Sequence, residues 1–188
     1  VSVTKLSTTD ETIVSLEEWE ERKAFVGFGA EDEQILAELH LVAKTYADDV
    51  MDELYARWLR FPHVRGFFLD PGRLTRTKAL QRRYFIRLTS GDYGAAYLAD
   101  RLRIGSVHRR VGLTPRWYMG AYSVYLEIVL PRVFAAFEYD RAKRTRAVAA
   151  LVKLVSLDQE IAMLAYFGSA RSSDEGNEAA AHSGGERP

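Results

Sequence analysis

Apolar positions along this chain recur at threes and fours, and no stretch alternates apolar and polar residues long enough to suggest a strand. From Glu31 onward, Ile35, Leu36, Leu39, Val42, Tyr46, Val50, Leu54 and Trp58 follow a helical period as far as Phe61-Pro62. One straight helix of that length would be long for a globular domain, so a bend is expected at Lys44 to Tyr46. Pro62 ends the run, because it lacks an amide donor and clashes with the preceding turn. An aromatic connector, His63 to Phe68, closes at Asp70-Pro71-Gly72. A second helix is expected from Arg73 to Ser90, with Leu74, Lys78, Gln81, Phe85 and Leu88 on one stripe. Gly91 ends it, and Asp92 can cap a third helix that runs to about Val111. In that helix Tyr97, Ile104, His108 and Val111 share a face.

After a Gly112-Leu113 break, Thr114-Pro115 has the form of an N-cap followed by a first-turn proline. Tyr118, Tyr122, Tyr125, Val129 and Val133 give the helix that follows an apolar stripe. The last helix opens at Asp140 and carries Val148, Leu151, Val152, Val155, Ile161 and Leu164 inside. At the front of the chain, residues 1–18 are polar and are expected to be flexible. Trp19 and Phe25-Val26-Gly27-Phe28 then give a short helix or packed arm something to bury. Beyond Phe167 the sequence turns to Gly, Ser, Ala and charge, so residues 168–188 are expected to form a flexible tail or linker. The pattern predicts one all-α domain over residues 19–167.

At 188 residues, 47% hydrophobic and 28% charged, the chain has the balance of a globular protein with room for a sizeable core. No apolar run approaches the roughly 20 residues a membrane helix needs, and the start has no secretory pattern, so a cytoplasmic location is the default. Formal net charge is zero, which leaves no broad electrostatic footprint for nucleic acid. Basic residues cluster locally, at Arg73, Arg76, Lys78, Arg82, Arg83 and Arg87 and again at Arg101, Arg103, Arg109 and Arg110; a solvated face of two helices accounts for them. With no cysteine, a metal must bind through other side chains or arrive inside a cofactor.

Four histidines are present. His182 falls in the expected tail, His40 has no partner at metal-ligand spacing, and His63 follows a proline at a helix end, so all three suit structural or solvent roles. His108 alone lies between apolar neighbours on a stripe, followed by a glycine break and an aromatic-rich helix. An imidazole for a metal, with aromatic walls for a flat apolar ring, suits a metal-containing planar ligand.

The run Ile104 to Tyr122, IGSVHRRVGLTPRWYMGAY, resembles the proximal-histidine segment of bacterial globin-coupled sensors, the globins that sense oxygen through haem. Similarity extends through GFGAEDEQIL, DELYARW, FPHVRGFF, LTSGDYGAAY and LVSLDQEIAMLAYF, in order, over roughly residues 20 to 167. The resemblance implies a globin-like three-over-three helical sandwich with an extra N-terminal helix and the D helix missing. It implies one haem b, held through His108. Binding would be non-covalent, since no Cys-x-x-Cys-His is present.

By the same resemblance, Tyr55 in DELYARW matches the distal tyrosine that hydrogen-bonds bound oxygen, and Tyr118 in PRWYMGAY matches a tyrosine that can bond to the proximal histidine. Leu80 falls at a second distal position and, having no donor, would shape the pocket and control access of water. Leu54 departs from relatives that often carry an aromatic there. The implied ligands are oxygen and the related gases carbon monoxide and nitric oxide. The implied assembly is a homodimer through the last two long helices, with no catalytic output in this chain. Alternatives remain: a haem-less globin-fold interaction module in stress signalling, or a haem globin for oxygen or nitric oxide chemistry. A helix-turn-helix reading of the basic stretch fits poorly with its buried-looking tyrosine stripe.

Overall fold

The computed structural model describes residues 14–182, and among them every regular element is helical. The elements are α1 (Leu16–Phe25), α2 (Ala30–Glu38), α3 (His40–Trp58), α4 (Pro62–Arg65) with a 3-10 turn (Gly66–Phe68), α5 (Pro71–Arg87), α6 (Ala95–Arg110), α7 (Pro115–Ala136) and α8 (Arg141–His182). Residues 1–13 and 183–188, the outer parts of the two segments expected to be flexible, lie outside the described residues.

Several boundaries differ from the periodicity: α5 spans Pro71–Arg87 where residues 73–90 are expected, and α6 opens at Ala95 after Gly94, so Asp92 is not its cap. The chain bends at Leu39, ahead of the expected place, where a single turn residue separates α2 from α3. Helix α1 begins at Leu16, within the stretch expected to be flexible. Ser15 and Glu18 form a reciprocal capping box there, the Ser15 hydroxyl accepting from the Glu18 amide at 3.1 Å and the Glu18 carboxylate accepting from the Ser15 amide at 2.8 Å. Helix α8 runs on past Phe167 to His182, so the change in composition at Gly168 does not coincide with a break in the backbone.

The other starts and stops follow local chemistry. Asp70 caps α5, accepting from the amides of Gly72 at 2.9 Å and Arg73 at 3.2 Å. Gly91, at φ +76°, turns the chain between α5 and α6; a Cβ there would lie 3.1 Å from Ala37 Cβ, so both the dihedral and the space favour glycine.

Helix α3 packs on α5 and α7, α6 and α7 both pack on α8, and α2 lies against α8. Among the described residues the result is an eight-helix globin-like arrangement, a variant of the three-over-three sandwich, in which α5 follows the 3-10 turn after only two residues. The extra N-terminal helix is anchored by Trp19, which is fully buried. Its indole donates to the Tyr93 carbonyl at 2.7 Å and its ring stacks on Tyr97. The tyrosine and valine stripe of α7 is buried throughout.

The basic cluster is largely neutralised by acids rather than left as a free positive face. Arg82 pairs with Asp48 at 2.7 Å, and Lys78 with Asp52, tying α5 to α3; Arg87 and Arg103 share Asp100. Arg101 departs from the expected solvated face: it is 2% exposed and lies inside the fold.

Candidate functional site

His108 sits near the C-terminal end of α6, and its surroundings fix both its backbone and its ring. The helix ends in a Schellman motif, with the Leu113 amide donating to the His108 carbonyl at 3.1 Å and the Gly112 amide to the Arg109 carbonyl at 3.0 Å. Gly112 takes the left-handed conformation this motif requires, at φ +78°. From α8, the Tyr166 hydroxyl donates to the Leu113 carbonyl at 2.7 Å and clamps the same turn.

The His108 ring lies 2.8 Å, through Nδ1, from the Ile104 carbonyl one turn earlier. A carbonyl only accepts, so Nδ1 carries the proton and Nε2 keeps its lone pair. Burial lowers the pKa of the imidazole, partly opposed by the bond to Ile104, and favours the neutral form a metal requires. Tyr118 meets the imidazole ring edge-on at 4.9 Å between centroids, while its hydroxyl lies 3.0 Å from that of Tyr122. The Nδ1 partner is therefore the Ile104 carbonyl, and the contact from Tyr118 is made by its ring.

Tyr55, on α3, is buried in a cage of aromatic edges formed by Trp58 at 5.4 Å and Phe68 at 5.6 Å. Its hydroxyl has no hydrogen-bond partner among the described residues, and burial alone pushes its pKa up to about 12. The hydroxyl is therefore a spare donor. Leu80 stands outside the packed core, 56% exposed, on a helix whose Phe85 is buried. His40 is 3.1 Å from the Thr89 hydroxyl, and the exposed His63 stacks on Trp117, so both have packing partners on the protein.

Periodicity did not reveal the polar centre beneath the site. Asp158 of α8, 1% exposed, accepts from Tyr84 at 2.7 Å and Tyr97 at 2.8 Å. The Arg101 guanidinium lies 3.8 Å from its carboxylate, sandwiched between the Tyr84 and Tyr97 rings at 3.9 and 4.2 Å. Burial raises the Asp158 pKa, opposed by Arg101 and by the two phenol donors. A faint signal did exist, since Tyr97, Arg101 and His108 fall on related faces of one helix, but an arginine in a basic run reads as surface.

These residues fit a haem. Among the described residues no group of three His, Cys, Asp or Glu could hold a bare metal ion. A haem brings its own metal and would need one base from the protein, which His108 Nε2 could provide. Val107 and Val111 beside His108, and Leu80 on α5, are exposed apolar side chains of the kind a flat apolar ring would cover.

An all-helical sandwich of this kind is the globin class of fold. Residues 15–172 match the Protoglobin family, and the chain belongs to it. It is similar to the haem-based aerotactic transducer HemAT of Halobacterium salinarum, at 27% identity over 157 residues, which is 79% of this chain and 32% of that protein. The chain thus spans about a third of the length of that relative. Among solved structures, it is similar to the globin domain of a Geobacter sulfurreducens globin-coupled sensor, with a TM-score of 0.74 and 26% identity over 78% of this chain and 96% of the other. The ferric globin domain of E. coli DosC shares the fold, with a TM-score of 0.67 and 18% identity over 77% of this chain and 97% of that one. The relatives themselves are named as a transducer and as the globin domain of a sensor.

Proposed function

We propose that this domain binds one haem b non-covalently and senses a diatomic gas, foremost oxygen, with carbon monoxide and nitric oxide as further ligands. The observation that carries the proposal is the His108 imidazole, whose Nδ1 is committed to Ile104 so that Nε2 is left as a free base. The haem would supply an iron that binds the gas reversibly, and the protein would supply everything that tunes it. His108 would hold the haem through Nε2. Tyr55 is the donor to the gas, supported by a hydroxyl that has no protein partner among the described residues. Leu80 shapes the distal side and sheds water, and Tyr118 packs the imidazole from the proximal side.

The signal would leave through α7 and α8, which we assign to a homodimer interface. Phe134 of α7, 46% exposed, and Val152 of α8, 43% exposed, are apolar groups that a second copy would cover. A cytoplasmic location belongs to the same proposal; no helix among the described residues is long and apolar enough to cross a membrane.

Absorption spectra of the purified protein in ferric, ferrous and oxygenated forms test the proposal. A Soret band that shifts on reduction and again on exposure to oxygen is the expected result. A chain that takes up no haem when it is offered would overturn the proposal in favour of an interaction module.

A further inference from the structure

Phenols of α5 and α7 form one continuous chain from α8 to the imidazole. Tyr84 of α5 donates to Asp158 at 2.7 Å; the Tyr84 and Tyr122 hydroxyls are 2.6 Å apart, and those of Tyr122 and Tyr118 are 3.0 Å apart. Tyr118 then meets His108 edge-on. A carboxylate can only accept, and each phenol has a single proton. With Asp158 as a carboxylate beside Arg101, the order is therefore fixed: Tyr118 donates to Tyr122, Tyr122 to Tyr84, and Tyr84 to Asp158. The Tyr118 proton is committed inward, and the tilt of its ring against His108 is set by the chain beneath it. Tyr118 and Tyr122 are buried and Tyr84 is half-buried, which limits competition from bulk water for these bonds.

We propose, on the footing of the haem-binding reading above, that Asp158 is a positioning residue for the proximal imidazole, acting through Tyr84, Tyr122 and Tyr118. The carboxylate belongs to α8, whereas His108 belongs to α6, so the chain makes the placement of the imidazole answer to the placement of α8. Tyr166, further along α8, adds a second tie through the Leu113 carbonyl. A displacement of His108 along its ligand bond would be felt by α8 at both points, and a displacement of α8 would be felt by His108. Bonds of this kind have short, directional optima, so the coupling acts through orientation rather than bulk.

Two variants break the chain while keeping its shape: Tyr122→Phe removes one hydroxyl, and Asp158→Asn replaces the acceptor that fixes its direction. Leu151→Ala, at a fully packed position of α8 outside the chain, serves as a control that lowers stability by loss of packing. Two readouts apply to the full chain. One is the iron–histidine stretching band of the ferrous protein, by resonance Raman. The other is the position of the His108 ring proton signals in the haem-free chain, assigned by their loss in His108→Ala. We expect both chain variants to move the band and the ring signals, and Leu151→Ala to move neither. Unchanged His108 signals in Tyr122→Phe and Asp158→Asn would overturn the proposal, as would an equal displacement in Leu151→Ala. If the wild type shows no iron–histidine band, the haem reading fails by itself, and the ring signals still decide whether Asp158 positions His108.

Discussion

The Nδ1 atom of His108 donates to the Ile104 carbonyl at 2.8 Å, one helical turn back along α6. The bond uses a backbone acceptor that the helix already presents, so the tautomer is set without a second titratable group. It also leaves Nε2 of the imidazole as a free base at this end of α6, so under the haem-binding proposal cofactor retention would hinge on one side chain.

Substituting His108→Ala should therefore strip the domain of its haem. Only apolar and peripheral contacts would remain, and the ferrous spectrum of any residual pigment should lose its histidine-ligated form. Haem content per chain after purification, by pyridine haemochrome assay, checks this. Full retention with an unchanged ferrous spectrum would refute the assignment of His108.

Tyr55→Phe should speed oxygen release while leaving carbon monoxide release nearly unchanged, because oxygen takes up partial negative charge on binding and carbon monoxide much less. A net hydrogen bond of about 0.5–1.5 kcal/mol corresponds to about twofold to more than tenfold in rate. The hydroxyl has no partner among the described residues, so the same substitution should cost little folding stability, within about 1 kcal/mol. Stopped-flow release rates and thermal melts together check it. Equal acceleration for both gases would mean that Tyr55 is not the donor.

The pKa of Tyr55 predicts a flat pH dependence. Burial pushes it up to about 12, so the phenol remains a proton donor where an ordinary tyrosine begins to ionise near 10. The ratio of oxygen release rates between Tyr55→Phe and wild type should stay constant from about pH 6 to about pH 10. Between the unfolded value near 10 and the folded value of about 12, the native state holds the extra proton. Stability from this group is therefore complete below the window and declines as pH rises through it. A ratio that collapses toward one below about pH 9 would contradict this expectation.

Self-association should run through α7 and α8. Phe134→Lys and Val152→Lys each place a charge on an exposed apolar position of those helices. Each should raise the dimer dissociation constant by about tenfold or more. Sedimentation across a concentration series measures it. A wild type that remains monomeric at tens of micromolar, or cross-links confined to α1–α3, would reject this interface.

Local chemistry alone made much of the fold legible in the sequence. The periodic stripes, the Gly91 turn and the Thr114-Pro115 start are decided by residues within a few positions of one another. The Ser15-x-x-Glu18 box was equally local and marked a helix start inside a stretch whose polarity suggested flexibility. His108 stood out because its apolar neighbours and the glycine break after it were adjacent in the chain. Tyr55, Tyr118 and Leu80 came from resemblance; the structure supplies the unpartnered phenol of Tyr55, a ring contact for Tyr118 and an exposed place for Leu80.

Tertiary structure alone decided the rest. The bend at Leu39 depends on how α2 and α3 pack on different partners, and α7 continues through Pro131 because the apolar residues on either side of it, Ile128, Val129 and Val133, are buried against neighbouring helices. The Asp158 centre draws Tyr84, Tyr97, Arg101, Tyr118 and Tyr122 from three helices onto a fourth. Periodicity reports which face of a helix is apolar, and it cannot report that a carboxylate and a guanidinium will be buried together. Each is costly inside alone; their burial becomes tolerable only when distant parts of the chain bring donor, acceptor and opposite charge to one place.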